Sequence, residues 1–154
     1  MHEPPLSRLV TVYKDAGDLR LAPVLAGIAV GSVADWAGWP DAVVPVPPSP
    51  AAVARRGFDH TARVATELAH LLGVPAYDAL VCRPRRDQRA LSRRKRLSNA
   101  AGSIAMLPGV AAPRYVLLID DVFTTGATLD AAARALCEAG SCEVRAVTVG
   151  RACG

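Results

Sequence analysis

A chain of 154 residues is long enough to bury one core without disulfide or metal staples, so a single domain is expected. Apolar residues make up 51% of it but aromatics only 5%, a balance that suits helices on a parallel sheet better than a β-sandwich. The net charge of +4 hides an acidic domain with one basic segment: residues 83–96 hold eight Arg or Lys against one Asp, while the other 140 residues carry ten basic and thirteen acidic groups.

In chain order, Leu19 to Trp36 predicts a helix, loosened at Pro23 and the glycines and ended by Trp36, Trp39 and Pro40. Its most apolar part, Leu21 to Ala34, is fourteen residues long, too short for a membrane span. The opening Met1 to Pro5 lacks the basic region of a signal peptide, and a cytoplasmic protein is expected. Residues 41–47 predict a strand that runs into a proline turn at Pro47, Pro48 and Pro50. A helix follows over about Thr61 to Leu72, with Val64, Ala65, Leu68, Ala69 and Leu72 on one face and Gly73 and Pro75 as its stop. Residues 76–82 read as a strand, 83–97 as a basic loop and 103–107 as a short strand. Arg114 to Ile119 is a strand whose unbroken apolar run suits burial on both faces. Leu129, Ala132, Ala133, Leu136 and Cys137 give the next helix its stripe, Gly140 ends it, and Glu143 to Val149 is a last strand. Strands alternating with helices predict an α/β fold with a central, mostly parallel sheet, whose ligands bind at the carboxyl ends of the strands.

Cys82, Cys137, Cys142 and Cys153 form no C-x-x-C pair, so reduced, mostly buried thiols are expected and a zinc site is not. His70 lies in an apolar helical stretch as a structural or surface residue; only His60 is near a motif, and a capping or surface role suits it better than acid–base work.

The run from Val116 to Leu129 carries most of the chemistry. A buried strand is followed by Asp120 and Asp121, then by the turn Thr124, Thr125, Gly126, Ala127 and Thr128, then by a helix. Backbone N–H groups of such a turn and helix start face an anion, and threonine hydroxyls add donors. Two adjacent acids suit sugar hydroxyls, directly or through Mg²⁺. The order therefore builds a site for a phosphorylated sugar. The plainer alternative is a pair of solvated acids before a helix capped by Thr124 or Thr125.

This run resembles the phosphoribosyl pyrophosphate (PRPP) signature of the type I phosphoribosyltransferases. The resemblance implies that Asp120 and Asp121 hold the ribose hydroxyls, with Mg²⁺ on them directly or through water, and that residues 124–128 wrap the 5′-phosphate. It also implies that the turn at Pro47, Pro48 and Ser49 cradles pyrophosphate, often through an unusual cis peptide. For X-Pro bonds such as Pro47–Pro48 and Ser49–Pro50, the cis form costs only ~0.5–1 kcal/mol. A rigid proline turn without a ligand is the alternative there. Arg55 and Arg56 follow, with guanidinium forks suited to pyrophosphate or to a solvated helix start.

Val44-Pro45-Val46-Pro47, then Arg56-Gly57-Phe58, then a basic segment with Gln88, Leu91, Arg96 and Asn99, then the acid pair, is similar to the ComF family of competence-associated proteins over roughly residues 41–150. Two departures stand out: Asp59 and His60 replace a usual Asn-Gln, and no cysteine-rich zinc module is expected. The resemblance implies one domain over 1–154, with 1–40 as a small hood and 41–154 as the core. In it the basic segment is a flap that closes over PRPP, and Arg96 joins Asp120 and Asp121 in catalysis.

The function so implied is transfer of ribose 5-phosphate from PRPP to a nitrogen nucleophile with release of pyrophosphate, aided by Mg²⁺. The alternative is a non-catalytic PRPP-, phosphate- or DNA-binding protein of the ComF type acting in DNA uptake. Residues 83–96 would then contact single-stranded DNA through phosphates, since no aromatic residue interleaves them for stacking. A fragment acting with a partner subunit is a third reading. A homodimer is left open, and no membrane partner is expected.

Overall fold

The computed structural model describes residues 19–49, 53–55, 57–83, 104–123 and 126–151. Among the described residues the main helices are α1 (Ala22–Ser32), α2 (His60–Leu72) and α3 (Ala127–Glu138), and the strands are β1 (Ala42–Pro45), β2 (Leu80–Cys82), β3 (Ile104–Met106), β4 (Tyr115–Phe123) and β5 (Glu143–Arg151). Single 3-10 turns at Leu19–Leu21 and Ala34–Trp36 flank α1.

The three-stranded parallel sheet has the order β1-β4-β5, so the most apolar strand lies in the middle. Val116 to Ile119 are 0% exposed, as their unbroken apolar run demands. Ala42 pairs with Val116, Pro45 with Ile119, and Ile119 in turn with Val147. A lone parallel bridge, Val43 to Ala76, adds a fourth strand position beyond β1. The expected strand over 76–82 is thus split. The chain touches β1 at residues 76 and 77, then pairs Leu80–Cys82 antiparallel with Ile104–Met106.

Side-chain alternation divides the core into two layers. Leu117, Ile119, Val147 and Val149 pack with α1 and α2. Val116, Leu118, Val44 and Val46 pack with α3 and the β2–β3 ribbon. Pro23 does not loosen α1: it stands in the first turn, where its missing N–H costs no intrahelical bond. Gly27 and Gly31 leave the helix unbroken and lie with Val24 and Ile28 on its exposed side. Asp59 caps α2 through a 2.9 Å bond from the Ala62 N–H. Gly73, at φ +69°, ends the helix with Val74 N–H donating to Ala69 O, a Schellman closure.

Trp36 and Trp39 are fixed at the amino edge of the sheet by Arg145, whose guanidinium lies 5.2 and 4.2 Å from their rings while Nε meets Glu143 at 2.8 Å. Cys137 and Cys142 are exposed, contrary to the expectation of buried thiols, because they flank the turn that ends α3. No helix among the described residues is long and apolar enough to cross a membrane.

Candidate functional site

All three strands of the parallel sheet end at one edge, and Asp120, Asp121 and Gly126 lie there. β4 does not stop before its acids. It stays paired with β5 through Asp120–Thr148, Val122–Gly150 and Phe123–Arg151. In sequence the acids read as the start of a loop because ionisable residues are rare in a strand buried on both faces. At this edge the helices have given out, and Asp120 and Asp121 are only partly buried.

Being consecutive on a strand, the two carboxylates leave it on opposite faces. Asp120 continues the row of Val116 and Leu118 and so belongs to the α3 side; Asp121 continues that of Leu117 and Ile119, toward α1 and α2. Their backbone explains one further contact. Ile119 O accepts from Val46 N–H at 2.9 Å, so odd-numbered residues of β4 turn their polar groups toward β1. β1 ends at Pro45, and beyond it the Asp121 N–H is donated to Asp120 Oδ1 at 2.8 Å. One oxygen of Asp120 is thereby pinned.

Gly126 leads into α3 at φ +75°, a left-handed conformation that side chains with a Cβ resist, and its carbonyl accepts from Asp130 N–H at 2.9 Å. α3 therefore begins at the carboxyl edge, on the same side of the sheet as Asp120. Ala127 is partly buried and Thr128 exposed at this helix start. Thr124 and Thr125 lie outside the described residues.

The turn after β1 begins beside the acids, since Val46 is bonded to Ile119. No peptide bond among the described residues is cis, so the Pro47–Pro48 bond is trans, unlike the cis form that the resemblance implied. Ser49 O accepts from Val53 N–H at 3.1 Å, and Arg55 is exposed. Pro50 and Arg56 lie outside the described residues, as do Arg96, Gln88, Leu91 and Asn99 of the basic segment. The bases of that segment are described: Cys82 and Ile104 are opposite one another in the β2–β3 pair, which holds the two ends of residues 83–103 together. Because residue 76 runs parallel to β1, the chain heads toward the carboxyl edge as it enters this ribbon.

α2 also begins at this edge. His60 is 3% exposed, not a surface residue, with its ring stacked on Phe58 at 3.9 Å between centroids. Asp59, not His60, is the cap. Burial pushes the Asp59 carboxyl above its ordinary value, and Asp78 adds to that; hydrogen bonds from Ala62 and Thr61 and the nearby His60 oppose it. Sequence alone did not suggest this buried patch, for nothing in a lone Phe58-Asp59-His60 reveals which ring will be covered.

Asp120 and Asp121 are hard oxygen donors, and no group of three or more His, Cys, Asp or Glu that could hold a metal ion occurs among the described residues. Such a sparse set fits Mg²⁺, which takes one or two carboxylates and leaves the rest of its octahedron to substrate phosphates and water.

The family model described as a phosphoribosyl transferase domain matches residues 47–152, from the proline turn to the end of β5. This chain belongs to that family. Within it the chain is a ComF-type member, being 31% identical over 158 residues to competence protein F of Haemophilus influenzae, with 96% of this chain and 69% of that one covered. It is also similar to competence protein ComFC of Streptococcus pneumoniae, at 29% identity over 141 residues, and it spans 60% of that protein's length. A solved purine phosphoribosyltransferase from Pyrococcus horikoshii shares the fold of this phosphoribosyl transferase domain at a TM-score of 0.52 and 14% identity, with 85% of this chain and 81% of that one covered. The fold is thus the type I phosphoribosyltransferase arrangement, a parallel sheet flanked by helices.

Proposed function

We propose that this domain binds PRPP with Mg²⁺ at the carboxyl edge of the sheet and transfers ribose 5-phosphate to a nitrogen nucleophile, releasing pyrophosphate. The observation that carries the reading is the position of Asp120, which ends the buried row of β4 on the same side of the sheet as the start of α3. A 5′-phosphate at the 124–128 turn then receives N–H donors and the positive end of the α3 dipole. Asp120 lies beside the ribose carried by that phosphate, and Asp121 reaches it from the other face. Their negative charge favours the positive charge that develops at the anomeric carbon as the C–O bond to pyrophosphate breaks. Bound Mg²⁺ offsets charge on the pyrophosphate. The turn at Pro47, Pro48 and Ser49 borders the same edge, and with Arg55, Arg56 and residues 83–96 it supplies the leaving group's surroundings. No side chain has to act as a covalent nucleophile.

Calorimetry with PRPP and Mg²⁺ tests binding. Heat is expected for the wild type and none for Asp120→Ala combined with Asp121→Ala; equal heat for both refutes the reading. Release of pyrophosphate with ammonia, purines and pyrimidines as acceptors then tests turnover.

The names of the two relatives, both competence proteins, favour a second reading in which the pocket is kept without catalysis and the protein contacts single-stranded DNA. Arg93, Arg94, Lys95 and Arg96 changed together to Ala should then weaken DNA binding and flatten its salt dependence. DNA binding that is absent, or that survives these changes, rejects this second reading.

A further inference from the structure

We infer that Thr148 is a positioning residue for Asp120 and lends its hydroxyl to the ribose site. The assignment rests on the PRPP reading above and adds a residue that no motif marks.

Its basis is the strand register. Asp120 and Thr148 are Cα partners in the parallel β4–β5 ladder, and partners in register project to the same face of a sheet. Which face follows from their neighbours. Val147 and Val149 are buried with Ile119 in the layer under α1 and α2. Thr148, between them, points the opposite way, to the α3 side, where Asp120 continues the row of Val116 and Leu118. One step deeper, the same face carries Leu118 beside Ala146, an apolar pair. At Asp120 and Thr148 the face turns polar in both strands at once.

On β1 the next residue in register, Val46, is apolar and 3% exposed, so Asp120 has a polar strand neighbour on its β5 flank alone. Thr148 is partly buried on a face of β5 that also leaves Ala146 exposed, so its hydroxyl is accessible. Its β-branched side chain is stiff about χ1, so the hydroxyl is held with little entropy left to lose. Asp120 Oδ1 already accepts from the Asp121 N–H. A hydroxyl on the neighbouring strand adds a donor and an acceptor beside that carboxylate, on the surface that vicinal ribose hydroxyls would meet. The side-chain spacing of neighbouring strands, about 5 Å, is within reach of a Thr-to-Asp hydrogen bond.

The experiment measures PRPP–Mg²⁺ affinity by calorimetry for the wild type, Thr148→Val, Thr148→Ser, Asp120→Asn and Asp120→Asn with Thr148→Val, alongside urea denaturation of each. Loss of one hydrogen bond to a carboxylate predicts roughly ten- to a hundredfold weaker binding for Thr148→Val, with Thr148→Ser within about twofold of wild type. In the Asp120→Asn background the valine should add little, because the two groups act as a unit. Thr148→Ala supplies the same comparison should valine disturb the sheet. A wild type that does not bind PRPP overturns the underlying reading and this assignment with it. A wild type that binds, with Thr148→Val and Thr148→Ala equally tight, overturns the assignment alone. So does a serine variant as weak as the valine, or a valine effect that persists undiminished when combined with Asp120→Asn.

Discussion

Asp59 sets two effects against each other, and substitution separates them. Its carboxylate accepts the Ala62 N–H at 2.9 Å and so caps α2, an arrangement worth about 1 kcal/mol. The positive helix end also favours a negative charge there. Against this, burial and Asp78 raise its pKa, which means that the folded state disfavours the ionised form. A raised carboxyl pKa implies that the native state holds the proton more tightly than the unfolded one. Stability from this group is therefore largest below the ordinary value of 3.8, declines as pH rises through the window up to the raised value, and stays flat above it. Asp59→Ala loses the cap and should unfold with about 1 kcal/mol less stability at pH 7, or ~2–4 °C lower in Tm for a domain of this size. Asp59→Asn keeps an acceptor oxygen without the buried charge. It should equal or exceed the wild type at pH 7, with its advantage shrinking as acid protonates the wild-type carboxyl. Urea denaturation followed by circular dichroism at pH 7 and pH 4 measures both, and other titrating groups cancel in the difference. If Asp59→Asn proves as unstable as Asp59→Ala at pH 7, the charge on the helix end outweighs its burial and the reasoning fails.

Asp120→Asn retains an acceptor for the Asp121 N–H and should be about as stable as wild type, whereas Asp120→Ala leaves that donor unmatched and should cost about 1 kcal/mol; denaturation of the pair checks it. Leu118, fully buried in the central strand, should cost about 2–5 kcal/mol when changed to Ala, measured by the urea midpoint. Arg145→Met removes the cation held over Trp36 and Trp39 and its contact with Glu143, and is expected to cost about 1 kcal/mol and to shift tryptophan emission, these being the chain's two tryptophans.

The sheet was legible where burial dictates sequence. Val116 to Ile119 had to be apolar throughout because both faces are covered, and Ala42 to Val46 on the neighbouring strand are buried in the same way. The extent of that strand was not legible, since Asp120 and Asp121 are polar for reasons of position at the sheet edge and not of local conformation. The length of α1 was obscured by its composition. It has no charged residue and no polar stripe, so Pro23 and the glycines looked like interruptions, while packing on α2 and β5 decides the helix. The pairing of Leu80–Cys82 with Ile104–Met106 joins two very short segments across the basic stretch, and three-residue strands carry too little pattern to announce a partner. At the site, the acid pair and the glycine turn were evident as a motif. That the acids diverge to opposite faces, and that Thr148 stands next to Asp120, needed the register.

Because the ladder between β4 and β5 runs on past both acids to Phe123 and Arg151, the carboxylates ride on backbone that cannot shift without unzipping the sheet. The amide protons of Asp120 and Val122, which face β5, should exchange slowly even before any ligand arrives. A sugar phosphate would meet a grip already set, and adjustments of shape on binding would have to come from the turns around it.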